Sequence, residues 1–215
     1  MKTKIATLLC AAALVPAAAL AAKKPRFTAA AVSADAVYLA RLEFGEGIEQ
    51  KSKLFESGEP FAAWKEITLP EEAREHEILH LEAAGPALLL VTQWTIESGG
   101  APHVYVRKSS GAAWEKRGEL PCTVLESITF AKTTLKVRCI QDDLANGTSR
   151  KRTAGPVRLG ASFGSFTIKL PWKERAGVKY RLTFADEAGW PAVAEISTKA
   201  GGAKVVKALV RADKL

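Results

Sequence analysis

The sequence predicts an all-β chain of about four blade-like repeats of roughly 50 residues, shaped as a propeller-like disc or a related sheet assembly. Two observations predict it. Similar segments recur at a constant interval, and short apolar or alternating runs are punctuated by glycine-rich turns. A β-sandwich or an open barrel is the alternative architecture for the same strands.

The chain opens with a different kind of segment. Met1-Lys2-Thr3-Lys4 is a short basic start, and Ile5 to Ala22 carries no charge. The stretch ends in Ala19-Leu20-Ala21, a small-x-small site of the kind signal peptidase reads. Pro16 and the alanine-rich tail leave it short and mildly apolar beside the ~20 residues a membrane span needs. A signal peptide over residues 1–21 is therefore expected, followed by one all-β repeat domain over 22–215. Cys10 lies too early, with too little apolar sequence before it, to serve as a lipoprotein cysteine. Cleavage would remove Lys2 and Lys4 from a formal charge of +8. The expected address is the periplasm or the exterior, with no membrane span left after cleavage.

The recurrence is readable residue by residue. Phe61-Ala62-Ala63-Trp64 is followed by Leu69-Pro70 and Ile78. Fifty positions on, Gly111-Ala112-Ala113-Trp114 is followed by Leu120-Pro121 and Ile128. A looser copy is Phe163-Gly164-Ser165-Phe166, then Leu170-Pro171 and Leu182. Upstream, Tyr38, Ala40, Leu42 and Phe44 correspond to Leu88, Leu90, Thr92 and Trp94. The units are expected to begin at Phe27 and near Glu77, Ser127 and Tyr180.

Within the second unit, Pro86 to Glu97 is apolar and strand-like. Gly99-Gly100 then turns the chain into His103-Val104-Tyr105-Val106-Arg107. The third unit alternates over Leu135 to Cys139. The fourth offers Arg181 to Phe184, Ala192 to Ile196 and, after Gly201-Gly202, Val205 to Val210. The one dense basic run, Ser149-Arg150-Lys151-Arg152, follows Asn146-Gly147 and is expected in a solvated loop. Positive charge is otherwise spread along the chain, which argues for no specific nucleic-acid binding.

Two windows carry a family resemblance. Ser57-Gly58-Glu59-Pro60-Phe61-Ala62-Ala63-Trp64 resembles an Asp-box, Ser-x-Asp-x-Gly-x-x-Trp, with Glu59 for the acid and Phe61 for the glycine. Arg107 to Trp114 keeps Gly111 and Trp114 and has Ser109 where the acid belongs. Asp-boxes mark hairpins of sialidase-like β-propellers, so the resemblance implies a blade-type hairpin. None of that family's catalytic residues matches a position here, and its Asp-boxes lie away from the active site.

The motif closest to catalysis is His76-Glu77-Ile78-Leu79-His80. On a helix, His-Glu-x-x-His places two imidazoles on one face for zinc, and the Glu activates water. Pro70 suits a first helical turn, Glu71 and Glu72 suit the positive helix end, and Gly85-Pro86 would end it. A small zinc-dependent peptidase with His76, His80 and catalytic Glu77, and with Glu97 or His103 as third ligand, is the alternative function. The repeat register instead assigns Glu77 to Ala83 to a strand, where residues four apart stand roughly 13 Å apart.

Nothing else offers a catalytic set. There is no Gly-x-Ser-x-Gly elbow and no phosphate-cradling glycine loop. Cys122 and Cys139 form an even pair in an oxidising compartment, so a disulfide between them is expected. A regular hairpin turning at Lys132-Thr133 would set Cys139 opposite Glu126, so a bulge is needed to reach Cys122. Of the five tryptophans, Trp64 and Trp114 recur in register and are expected in the core, whereas Trp172 and Trp190 lie in turn-like sequence as candidate contact residues. The function expected from these features is non-catalytic binding of an envelope or extracellular protein or glycan, without a cofactor.

Overall fold

A computed structural model of the chain describes residues 24–33, 35–46, 49–58, 61–84, 86–95, 100–120, 124–131, 134–143, 148–158, 178–187, 190–200 and 203–215. The expected signal peptide, Cys122, Trp172, Glu97 and the third repeat copy up to Pro171 lie outside these residues.

The protein is all-β, with four antiparallel sheets among the described residues, each a simple meander in chain order. The first sheet holds β1 (Arg26–Val32), β2 (Val37–Phe44), β3 (Gln50–Ser57) and β4 (Lys65–Ile67). A five-residue helix, α1 (Glu71–Glu75), leads into the second sheet. That sheet holds β5 (Glu77–Ala84), β6 (Ala87–Gln93), β7 (His103–Arg107) and β8 (Glu115–Glu119). The third holds β9 (Val124–Ala131), β10 (Thr134–Asp143) and β11 (Thr148–Arg158). The fourth holds β12 (Val178–Glu187), β13 (Trp190–Ala200) and β14 (Ala203–Arg211). The sheets begin at Arg26, Glu77, Val124 and Val178, each within three residues of the expected unit starts.

The sheets stack face to face, fourth on first, first on second, second on third. Phe27, Val37, Leu39, Ala194, Ile196 and Val210 fill the fourth–first interface. Tyr38, Ala40, Leu54, Ile78, Leu81, Leu88, Leu90 and Tyr105 fill the first–second. Leu89, Val91, Val104, Val106, Leu120 and Val137 fill the second–third. The inner strands β2 and β6 are therefore buried on both faces, which is why they read as continuous apolar runs. The outward face of the third sheet is exposed and polar at Glu126, Thr129, Lys136 and Arg138. On the fourth sheet, Leu209 stands 68% exposed.

This stacking corrects one alignment. Tyr38 and Ala40 face the following sheet, whereas Leu88 and Leu90 face the preceding one. The residues of β2 that face the preceding sheet are Val37 and Leu39. Their equivalents in β6 are Leu88 and Leu90, so these strands correspond one position further apart than the sequence match suggests. Side chains alternate with period two, and a one-residue slip moves each of them to the other face.

At the turns the fifty-residue match holds. Phe61 and Gly111 both adopt positive φ, +63° and +75°, in the β3–β4 and β7–β8 turns. The closing hydrogen bond falls one residue later in the second turn: the Phe61 N–H donates to the Gly58 carbonyl at 2.8 Å, and the Ala112 N–H to that of Ser109 at 3.2 Å. Trp64 packs on the fourth–first core and Trp114 on the first–second core, both half-buried and both toward the preceding sheet. The Trp114 indole N–H donates to the Thr68 carbonyl at 2.8 Å, tying the second sheet to the first.

Two expectations change. The basic run Ser149 to Arg152 lies in β11, the outer strand of the third sheet among the described residues, rather than in a loop. Cys139 pairs with Leu125 rather than Glu126, because the register shifts between Arg138 and Cys139. Trp190 opens β13 opposite Glu187, beside the β12–β13 connection. The side chains of Cys139 and Trp190 lie outside what is described. No described helix is long and apolar enough to cross a membrane.

Candidate functional site

Antiparallel meanders give each sheet two ends. One carries the tight turns at Phe61 and Gly111. The other carries α1, the Gly45–Glu49 turn and the longer connection from Trp94 to Pro102. The functional side chains gather at this second end, on the face of the second sheet that meets the first.

The chain reaches the site through α1. Pro70, at φ −54°, sits at its N-terminal cap, and Glu71 and Glu72 occupy its first turn, where carboxylates complement the helix dipole. The helix stops after Glu75 because His76 turns to extended backbone, φ −94° and ψ 147°. The helix that a His-Glu-x-x-His zinc site needs is thus absent here, and Glu77 to Ala84 is strand. A register shift between Ile78 and His80 then separates the imidazoles further. Ile78 pairs with Thr92 on the face toward the first sheet, and His80 pairs with Val91, whose side chain packs toward the third. Without the extra residue at Leu79, His76 and His80 would share a face.

Each member of the motif consequently has its own surroundings. The His80 Nε2 lies 3.3 Å from Glu82 Oε2. Glu77 is ion-paired to Arg26 at 3.0 Å and accepts from the Thr95 hydroxyl at 3.3 Å. His76 instead meets His103, the residue the sequence offered as a third ligand, with ring centroids 5.1 Å apart. Among the described residues no group of three or more His, Cys, Asp or Glu converges as a metal site.

The His76–His103 pair is the centre of a larger cluster. Trp94 stands at the His76 ring, edge-on, with centroids 6.1 Å apart. Thr92 Oγ1 lies 3.5 Å from His76 Nδ1. His103 and Tyr105 alternate along β7 on one face, and the Tyr105 hydroxyl is 3.4 Å from His103 Nδ1. That hydroxyl donates to Glu72 Oε2 at 2.9 Å. The Lys116 ammonium lies 3.1 Å from Glu72 and 3.5 Å from Glu119. The other side of His103 faces Glu119, 3.2 Å from Nε2. Glu72 and Glu119 are largely exposed, while His103 is only 17% exposed.

The electrostatics fix resting charge states. Burial, then the neighbouring His103, pushes the His76 imidazole below its ordinary range. The Lys116 ammonium and the Tyr105 hydroxyl hold the Glu72 carboxyl below the usual carboxylate range. Burial, then the hydrogen bond to Glu72, pushes the Tyr105 phenol up. At neutral pH the site therefore presents a neutral imidazole at His76, an ionised Glu72 and a neutral phenol.

Sequence reasoning named His76 and His103 but as metal ligands, and it missed Glu72, Trp94, Tyr105, Lys116 and Glu119. One signal was available. His103 and Tyr105 are two apart in a strand, so they share a face. The partners from α1 and β8 are set by tertiary packing and leave no such trace.

Fold and site together define an all-β protein of stacked antiparallel sheets with a polar and aromatic cluster at one end. No protein-family model matches the chain, and no curated protein matches it. Among solved structures it is similar to Zg3597, a family 117 glycoside hydrolase produced by the marine bacterium Zobellia galactanivorans. The identity is 13% and the TM-score 0.37, covering 87% of this chain and 69% of that one.

Proposed function

We propose that the chain is an exported, non-catalytic binding protein that takes a protein or glycan ligand in the periplasm or outside the cell. Its four sheets act as propeller-type blades in an arc, stacked fourth, first, second, third. The matched positive-φ residues Phe61 and Gly111 support degenerate Asp-box hairpins in the first two blades. A stiff stack of small sheets presents loops in a fixed geometry, which suits recognition.

The observation that carries the reading is the ring cluster at the helix end, in which Trp94, His76 and His103 are half-buried and rest on the buried Tyr105. Rings with polar tips are the side chains that anchor recognition surfaces. Its charge states disfavour Glu72 as a proton donor. A general acid working near neutrality needs a carboxyl whose pKa is raised toward the working pH, and Glu72 is shifted the other way.

Expression of the full chain in a Gram-negative host tests the reading. The expected product is periplasmic or in the medium, begins at Ala22, and leaves bound ligand chemically unchanged. Full-length protein retained in the cytoplasm contradicts export. Turnover of the ligand contradicts a non-catalytic role.

A further inference from the structure

The polar groups at the helix end form a strip that crosses from the first sheet to the second. It begins at Arg26, whose guanidinium stands 5.6 Å over the Phe44 ring and pairs with Glu77. Thr95 Oγ1 lies 3.3 Å from both Gln50 Oε1 and Glu77 Oε2, which share its one proton, and Gln50 donates to the Glu75 carbonyl at 2.9 Å. The strip continues through Trp94, His76 and His103 to Glu72, Lys116 and Glu119. Gln50 is buried and Arg26 and Glu77 nearly so, whereas Thr95, Glu72, Lys116 and Glu119 are exposed.

What matters for the ligand is that each of these carboxylates already has a cation or hydroxyl partner. Glu77 is matched by Arg26, and Glu72 and Glu119 share Lys116. A cationic peptide would have to compete with Arg26, Lys116 and the Tyr105 hydroxyl for these carboxylates, and exposed ion pairs of this kind add little. An anionic ligand meets carboxylates at every step. A neutral polyhydroxylated ligand meets neither penalty. Its hydroxyls can donate to the free lone pairs of Glu72 and Glu119, accept from Lys116 and the imidazoles, and lay an apolar ring face on Trp94.

We infer that the Trp94–His76–His103–Glu72–Glu119 surface is a subsite for a neutral glycan, with Trp94 as the stacking platform and the two carboxylates as hydroxyl acceptors. This rests on the binding function proposed above and narrows it to one ligand class.

The test uses the mature chain and intrinsic tryptophan fluorescence, titrated with cellohexaose, laminarihexaose and the N-acetylglucosamine hexamer, and with hexalysine as the charged competitor. At least one hexasaccharide is expected to bind and to change the emission. Trp94→Ala should weaken it about tenfold or more, the range of an anchoring aromatic. Glu72→Gln and Glu119→Gln should each weaken it several-fold with an unchanged circular dichroism spectrum. Glu82→Gln, on the opposite face of the second sheet, should leave it unaltered. Binding that survives Trp94→Ala overturns the subsite, as does failure of every hexasaccharide to bind at millimolar concentration. Trp94-dependent binding of hexalysine alone overturns the glycan assignment and leaves the broader binding function standing. Cleavage of a bound hexasaccharide does the reverse, keeping the glycan and removing the non-catalytic role.

Discussion

The first and second sheets are alike at one end and different at the other. At the tight-turn end both place a positive-φ residue before a tryptophan that packs toward the preceding sheet. At the helix end, the first sheet closes through the short Gly45–Glu49 turn, its Gly45 N–H bonded to the Glu49 carbonyl at 2.9 Å. The second sheet opens into the longer stretch after Gln93, carrying Trp94 and returning at His103. The likeness belongs to scaffold, where geometry repeats because packing repeats. The divergence is where specific chemistry is free to accumulate.

That contrast can be broken by substitutions at each level. The largest loss is expected in the stacked core. Phe61→Ala removes a ring only 3% exposed and should cost about 3–5 kcal/mol, while Leu90→Ala should cost about 2–5 kcal/mol by chemical denaturation. A loss well under 1 kcal/mol for both would show that the sheets do not stack as described.

Gly111→Ala should cost about 1 kcal/mol, through the backbone alone. Its φ is +75°, and an added Cβ meets nothing within 4 Å. The two equivalent turns thus differ in kind. One holds its strained residue by burying a ring, the other by having no side chain. A neutral or stabilising Gly111→Ala would contradict the positive φ.

The smallest effects are expected at the helix end. Trp94→Ala should change stability by about 1 kcal/mol or less while lowering ligand affinity, separating site from scaffold in one variant. The pH dependence is also local. The folded state depresses the His76 pKa below 6.5, so the unfolded chain binds the proton more readily. The stability this contributes is complete above pH 6.5 and is lost as pH falls through the folded value. Melting temperatures should therefore drop on acidification from pH 7.5 toward 5.5, and His76→Gln should flatten that part of the profile. An unchanged profile in the variant would place the titration elsewhere.

Much of the scaffold was legible in the sequence because its signals are local. Glycine pairs and alternating runs located the sheets, and His103 to Arg107 matches β7 residue for residue. What escaped was set at a distance or by single extra residues. The shift at Leu79 turns His80 to the other face, and no periodicity announces it. The fifty-residue spacing is true of the Phe61 and Gly111 turns but one short for β2 and β6, because the β2–β3 and β6–β7 hairpins between them differ in strand and connection length. The basic run read as loop because a charge run after Asn146-Gly147 suggests a turn, yet the residues after that dipeptide are strand. At the site, His76 and His103 were visible as residue types. Their partners Glu72 and Glu119 looked like ordinary surface charge.

The most direct measurement is the imidazole NMR spectrum during titration with the hexasaccharide that binds. The chain has three histidines, two at the proposed subsite and one facing away from it. The account predicts that the His76 and His103 resonances move together at one ligand concentration while His80 stays in place. Movement of His80 alone, or of none of the three while ligand binds, would contradict it.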